Sequence, residues 1–146
     1  MKPSVAGIGL SALCSARITL SLTMPYATTW EESGVLWTFR GQVTGEEILR
    51  ANQEIYRDPR FYRLTYQIVD LTGVERFDVT EDDMAMIAVH DRAAARARPG
   101  VRVAVAAADE VIKDLSAFYD AVMVGSPWHQ RIFDSMTEAR EWLTQR

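Results

Sequence analysis

Hydrophobic and polar positions alternate with a period of two in the first patterned part of the chain. In residues 35–41 every second side chain is large and apolar, so one face of this run is suited to a core. A shorter run of the same kind, residues 27–31, precedes it. The Glu32-Ser33-Gly34 segment between the two runs is a hairpin signal, because glycine tolerates the positive φ of tight turns. The pattern therefore predicts an antiparallel hairpin.

Four later segments have helical spacing. Each begins at a residue type that caps helix N-termini, namely Thr44, Thr80, Asp109 and Ser135. The first helix is expected to end before Asp58-Pro59, because proline disfavours helical geometry in the residue before it. We expect the third helix to bury one apolar face, made of Val111, Leu115, Phe118 and Val122.

Apolar runs between these helices predict strands. Near the end of residues 64–71, the side chains on both faces of the predicted strand are apolar, as in a central strand that is covered on both sides. Thr72-Gly73 then breaks the run. Residues 101–107 alternate valine with alanine, which favours a parallel strand against which a helix packs closely. A short strand is predicted around residues 130–133.

The resulting element order is β-β-α-β-α-β-α-β-α. A hairpin followed by repeated strand–helix units predicts an α/β fold with a mostly parallel central sheet and an N-terminal antiparallel hairpin. The helices are expected to pack against the sheet. We expect a single domain over residues 26–146, a length that can bury a proper core.

Residues 1–25 lie outside this pattern and have three interpretations. Lys2 and the apolar run from Val5 to Ala16 resemble a weak secretory signal, although the run is too short and too rich in Gly and Ser to span a bilayer. The alternatives are a flexible extension and a start assigned too early, with Met24 as the true first residue. We favour these two alternatives, and we therefore expect a cytoplasmic protein.

The composition is that of an ordinary soluble globule, with 48% hydrophobic and 25% charged residues among 146. The net charge of −4 disfavours nucleic acid as a partner, because proteins that bind it usually carry a basic excess. The single cysteine, Cys14, cannot form an internal disulfide or a cysteine zinc site. No later segment is long enough to cross a membrane.

No phosphate-binding loop, dinucleotide fingerprint or exposed-serine elbow occurs in the sequence. The two histidines, His90 and His129, keep one catalytic alternative open: a small hydrolase or lyase in which a histidine works with Asp70. Each residue also has a structural interpretation, His90 as an ordinary helix residue and Asp70 as a carboxylate that holds the amides of Thr72-Gly73. We favour these interpretations, and we predict no catalytic residue, no metal site and no cofactor.

Three segments carry a resemblance to a known family. Ile68-Val69-Asp70-Leu71-Thr72-Gly73-Val74 resembles the central strand of the STAS superfamily, named after sulphate transporters and anti-sigma-factor antagonists. Gly34-Val35, Gly41 and Thr44 resemble its preceding strand and helix start. Ala139-Arg140-Glu141-Trp142-Leu143 resembles the A-x-x-W-L tail of the SpoIIAA-like branch, which is also compared with the lipid-binding SEC14 type. The resemblance covers residues 26–145 and implies the SpoIIAA-like fold.

The resemblance also bears on phosphorylation. In superfamily members that act as switches, an Asp-Ser-Ser-Gly segment starts a helix, and a partner kinase phosphorylates one serine. The matching segment reads Asp78-Val79-Thr80-Glu81, which puts Thr80 in the place of the phosphoacceptor. A phosphate there would face several carboxylates, whose repulsion would offset the stabilisation by the helix N-terminus. We therefore favour Thr80 as a simple helix cap.

The implied function is a non-enzymatic regulatory or binding module that acts through a protein partner or an apolar small ligand. For a protein partner, the implied surface is the loop 72–80 with the start of the next helix, and its residues are Asp70, Thr72, Gly73, Asp78 and Thr80. For an apolar ligand, aromatic side chains suit an adaptable pocket, and the candidates are Trp37, Phe39, Tyr66, Phe118 and Trp128. A lipid-type carrier and a homodimer stay open as alternatives.

Overall fold

The computed structural model describes residues 25–146, so the interpretations of residues 1–24 lie outside it. The strands are β1 (Tyr26–Trp30), β2 (Gly34–Thr44), β3 (Tyr66–Asp78), β4 (Arg102–Ala106) and β5 (His129–Phe133). The α helices are α1 (Gly45–Arg57), α2 (Glu81–Ala97), α3 (Glu110–Val122) and α4 (Met136–Thr144), and a 3₁₀ helix covers Pro59–Arg63. Between residues 25 and 146, no helix is long and apolar enough to cross a membrane.

The strands of the described chain form one mixed sheet in the order β1-β2-β3-β4-β5. β1 pairs antiparallel with β2, and all other neighbouring strands are parallel. The predicted α/β architecture is therefore confirmed. Each crossover advances by one strand in the same direction, so crossovers of the usual right-handed sense place α1, α2 and α3 on one face of the sheet.

The two faces of the sheet carry separate hydrophobic cores. The main core lies between the sheet and the layer of α1, α2 and α3. On the opposite face, α4 packs against β4 through a smaller cluster that contains Ala104, Ala106, Ala139 and Trp142. Alanine side chains on β4 let α4 approach closely, as the alternation of valine and alanine in this strand indicates.

The predicted helix caps are formed. Thr44 accepts a hydrogen bond from the amide of Glu47, and the Glu47 carboxylate accepts one from the Thr44 amide at 2.9 Å. Thr80 and Asp83 make the same reciprocal pair at the start of α2. The caps of α3 and α4 are also the predicted residues, Asp109 and Ser135.

The prediction that β3 ends at Thr72-Gly73 is wrong, because the strand continues to Asp78. Its register with β2 shifts twice, and each time β3 contributes one extra residue. An extra residue turns the side chains that follow to the other face of the sheet. Leu71, Val74 and Phe77 consequently all pack in the main core despite their spacing of three. The segment expected to be a loop is therefore a bulged strand up to Asp78.

The buried face of α3 is shifted by one residue from the predicted one. Val111 is 60% exposed, whereas Ile112, Ser116 and Tyr119 are buried. The buried face includes a polar contact, because the Tyr119 hydroxyl donates a hydrogen bond into the interior, to the carboxylate of Asp91. The other predicted positions, Leu115, Phe118 and Val122, are half-buried against the main core.

An ion pair joins the first hairpin to the last helix. The Arg140 guanidinium donates two hydrogen bonds of 2.7 Å to the Glu31 carboxylate, which also accepts one of 2.8 Å from the Tyr66 hydroxyl. The Tyr66 ring lies so close to Gly34 that a Cβ added there would be 2.1 Å from it. Gly34 is therefore needed for close approach rather than for a special backbone angle.

Candidate functional site

A cavity of about 70 Å³ lies in the main core, between the sheet and the three helices α1, α2 and α3. We call it the core cavity. The sheet side is lined mostly by apolar side chains from the three central strands, among them Trp37, Phe39, Val69, Leu71, Val103 and Val105. A space of this size holds a few water molecules or a small part of an organic molecule.

Val69 shows that this part of the core is not fully packed. It lies on β3 between Trp37 of β2 and Val105 of β4, which are 3% and 6% exposed. Val69 itself is only half-buried, although it occupies the central strand of the sheet. Since protein interiors normally leave few voids larger than a water molecule, the gap above Val69 is a distinct feature of this fold.

Asp91 forms the polar end of the core cavity. It projects from α2, it is buried, and it lines the cavity. Its carboxylate accepts hydrogen bonds from Asn52 Nδ2 at 2.9 Å, from the Tyr56 hydroxyl, and from the Tyr119 hydroxyl at 2.6 Å. Asn52 and Tyr56 belong to α1 and Tyr119 to α3, so the carboxylate joins all three helices of this layer.

Burial dominates the electrostatics of this cluster. Desolvation raises the pKa of Asp91 from 3.8 to about 6, while the hydrogen bonds from Tyr119, Tyr56 and Asn52 oppose the rise. Burial and the nearby carboxylate also raise the pKa of Tyr56 and Tyr119. Both phenols therefore stay protonated and act as donors. At neutral pH, Asp91 is mostly ionised with its charge held by three donors.

Two residues that line the core cavity each hold a buried donor without a partner in the described chain: Trp37 Nε1 and Gln67 Nε2. Both residues are buried, on adjacent strands and on the face toward the helices. Trp128, which also lines the cavity, differs because its indole N–H donates to the Arg98 carbonyl at 2.6 Å. A buried donor without a partner costs about 1–3 kcal/mol, so these two N–H groups weaken the core next to the cavity.

Comparisons with known proteins give a fold neighbour. An uncharacterized protein of the DUF3478 family from Shewanella loihica, described as having a SpoIIAA-like fold, is similar in structure, with a TM-score of 0.46 and 13% sequence identity. The match covers 81% of this chain and 91% of that one. The described architecture, an N-terminal antiparallel hairpin in an otherwise parallel sheet with helices against it, is the one predicted from the sequence. No protein-family model and no curated protein matches the sequence.

Three of the five aromatic residues predicted for an apolar pocket line the core cavity, namely Trp37, Phe39 and Trp128. Tyr66 does not, because it lies on the α4 face of the sheet with Glu31 and Arg140. Phe118 is half-buried against the main core and does not line the cavity.

Asp91 and the donors Asn52, Tyr56 and Gln67 were not among the sequence candidates. Asp91 had one signal in the sequence, because it follows Met84, Ile87 and Ala88 at helical spacing on the side of α2 that is otherwise apolar.

The residues predicted for a protein partner lie along β3 and at the start of α2. Asp70 accepts hydrogen bonds from the amide of Thr72 at 3.0 Å and from its hydroxyl at 2.6 Å, so it holds the first bulge of β3. Asp78 accepts from Gln42 at 2.6 Å and pairs with Arg76. With the Thr80 cap, these groups already have partners within the protein, and their role in partner binding stays a prediction.

The catalytic alternative required a histidine close to Asp70. Within residues 25–146, the side chains of His90 and His129 make no hydrogen bond, and neither imidazole lies within 4.0 Å of a carboxylate oxygen. The same part of the chain contains no group of three or more His, Cys, Asp or Glu side chains that could hold a metal ion. The histidine and the carboxylate of that alternative are therefore not assembled in this structure.

Proposed function

We propose that this protein is a non-enzymatic binding module that holds an apolar small ligand in the core cavity. The observation that carries the proposal is the incomplete packing above Val69, in a cavity whose lining residues Trp37 and Gln67 each hold a buried donor without a partner. A core built only for stability would fill such a gap and pair such donors. A bound ligand would fill the gap.

The polar groups of the cavity favour holding a ligand over transforming it. Among the residues that line the cavity, the titratable ones are Asp91 and Tyr119. The Asp91 carboxylate already accepts three hydrogen bonds. A general base needs an unengaged lone pair directed at the proton that it removes. The cluster of Asp91 with its donors supports a role in fixing the cavity wall and joining the helices.

A titration followed by NMR tests the proposal. We expect xenon, dissolved under pressure with the ¹⁵N-labelled protein and small enough for a space of about 70 Å³, to shift the indole N–H resonance of Trp37 and to raise the melting temperature. Val69→Phe places a ring in the cavity and should abolish both effects, whereas Val124→Phe, at a site that is 75% exposed, should leave them unchanged. If xenon leaves the Trp37 indole resonance unchanged, the proposal fails.

We also propose that the protein binds a protein partner through the second half of β3. The pairing of β3 with β4 ends at Asp70, so the rest of β3 has a neighbour only on the β2 side. An unpaired strand edge favours partners that add an extended segment. This supports a regulatory role through the surface of Asp78 and Thr80. Recovery of the same partner with a protein carrying Asp78→Ala and Thr80→Ala would count against this surface.

A further inference from the structure

The outer face of α2 carries five exposed side chains in one row. They are four, three, four and three positions apart, so they lie along a single face of the helix: Asp82, Met86, Val89, Ala93 and Arg96. The buried side chains of α2 lie on the opposite face, toward the sheet. We call the five exposed residues the α2 stripe.

The middle of the α2 stripe is apolar. Met86 is 53% exposed and Val89 is 62% exposed, and the two lie about one helical turn apart. Val111, at the start of α3, is 60% exposed. It lies on the α2 side of its helix, because Lys113, two positions on, points the other way to pair with Asp134 beyond β5. Three of the five large hydrophobic side chains exposed in the described chain therefore gather on one surface, whereas isolated ones are ordinary.

The two ends of the α2 stripe carry opposite charges. Asp82 lies in the first turn of the helix and Arg96 in the last turn. Val89 is seven positions from each of them. Between residues 25 and 146, neither charged side chain forms an ion pair. The stripe is thus apolar at its centre and oppositely charged at equal distances on either side.

A second copy of the same chain complements this pattern. When two α2 helices pack antiparallel about a two-fold axis at Val89, Asp82 of each faces Arg96 of the partner subunit. Met86 then lies between Val89 and Ala93 of the partner subunit, and the small alanine side chain lets the helices approach closely. A parallel arrangement in register would instead bring like charges together at both ends.

We propose that two copies of this protein form a two-fold homodimer through antiparallel contact of their α2 stripes. The inference goes beyond the proposed binding of a ligand and does not depend on it, since the core cavity lies on the opposite side of α2. Four turns of one helix, widened by Val111, make a small interface, and interfaces below about 1,200 Å² are typical of weak complexes. The dimer is therefore reversible, with a Kd on the order of micromolar.

Sedimentation velocity of the full-length protein tests the pairing. A monomer–dimer equilibrium is expected between about 5 and 500 µM. Asp82→Arg and Arg96→Glu each place like charges at both ends of the helix pair, so each should weaken self-association at least about tenfold. An equal mixture of the two variants should associate again, because every arginine in the mixed dimer faces a carboxylate. A mixture that stays as monomeric as the separate variants would overturn the antiparallel pairing.

Val89→Asp tests the centre of the stripe without altering the helix ends. It places two carboxylates against each other at the two-fold axis and should weaken self-association at least about tenfold. Tyr62→Asp is the matched control, at a position that is 63% exposed in the 3₁₀ helix, and it should leave self-association unchanged. Should either charge-reversed variant fail to fold, this pair of variants decides the question.

Two further outcomes would contradict the homodimer. A protein that remains monomeric over the whole concentration range would overturn it and leave this face to a different protein. Self-association that Val89→Asp does not weaken would overturn the α2 stripe as the contact. Neither outcome affects the proposed ligand binding, because the response to xenon depends on the core cavity alone.

Discussion

The Tyr119 hydroxyl donates a 2.6 Å hydrogen bond to Asp91 Oδ2, and this bond links α3 to α2 inside the main core. The other carboxylate oxygen receives Asn52 and Tyr56 of α1. One buried charge on the middle helix thus fixes the positions of both neighbours. The arrangement also fixes the polar end of the core cavity, so the stability of the helix layer and the shape of the cavity depend on the same residues.

Replacing Asp91 by asparagine should remove a pH dependence of stability. Because folding raises the pKa of Asp91 from 3.8 to about 6, the protonated carboxyl is favoured in the folded protein. Its stabilising contribution is complete below about pH 4 and is lost as the pH rises through 6, a loss of roughly 3 kcal/mol by pH 7.5.

Urea unfolding at pH 4.5, 5.5 and 7.5 measures this effect. The Asp91→Asn variant should lack the fall in unfolding free energy that the unaltered protein shows over this range. Asp114→Asn, at an exposed position of α3, serves as the control and should keep the fall. An identical pH profile for Asp91→Asn and the unaltered protein would contradict the assignment.

Tyr119→Phe should destabilise the protein by about 1–3 kcal/mol, because it removes one donor from a buried carboxylate without creating a large cavity. Tyr62→Phe deletes the same hydroxyl from a side chain that is 63% exposed, and it should change the unfolding free energy by less than about 0.5 kcal/mol. Chemical denaturation at pH 7.5 compares the two. Equal effects would show that the Asp91 cluster contributes nothing beyond ordinary surface hydroxyls.

Val69→Ile should be neutral or stabilising, since the added methylene enters the core cavity. The same change at Val101, which is fully buried, should cost about 1–3 kcal/mol through overpacking. Thermal unfolding of the two variants provides the measurement. A loss of stability in Val69→Ile as large as that in Val101→Ile would mean that the space above Val69 is filled in solution.

Gly34→Ala should be strongly destabilising, because its Cβ would lie 2.1 Å from the Tyr66 ring. Gly73→Ala is the matched control: its Cβ would make only ordinary contacts at 3.5 Å, and the backbone there does not require glycine. The second change should be nearly neutral in the free energy of unfolding. Adding Tyr66→Ala to Gly34→Ala should recover part of the loss, and failure to recover any would point to a different cause.

Local signals predicted the architecture well. The hairpin, the strand–helix order and the caps at Thr44 and Thr80 each depend on a few neighbouring residues, and all are present in the structure. The continuation of β3 past Gly73 was missed because a glycine at a bulge and a glycine at a strand end look alike in the sequence. Only the pairing with β2 distinguishes them.

The site was less predictable because it is made of distant residues. Asn52 and Asp91 are 39 positions apart, and Tyr119 is 28 positions from Asp91. The spacing on α2 put Asp91 on the apolar side, but it gave no indication of its partners. Tyr66 was grouped with Trp37 by residue type, and the register of β2 with β3 decides that they face opposite sides of the sheet.

The sequential strand order has a consequence for how the protein forms. Every strand after the first pairs with the one synthesised just before it, so a growing chain can add its strands one at a time as it leaves the ribosome. The ion pair between Glu31 and Arg140 spans 109 positions and must wait until α4 has emerged. This contact therefore forms only after the first hairpin and α4 are both in place, and it ties the earliest strands of the sheet to α4.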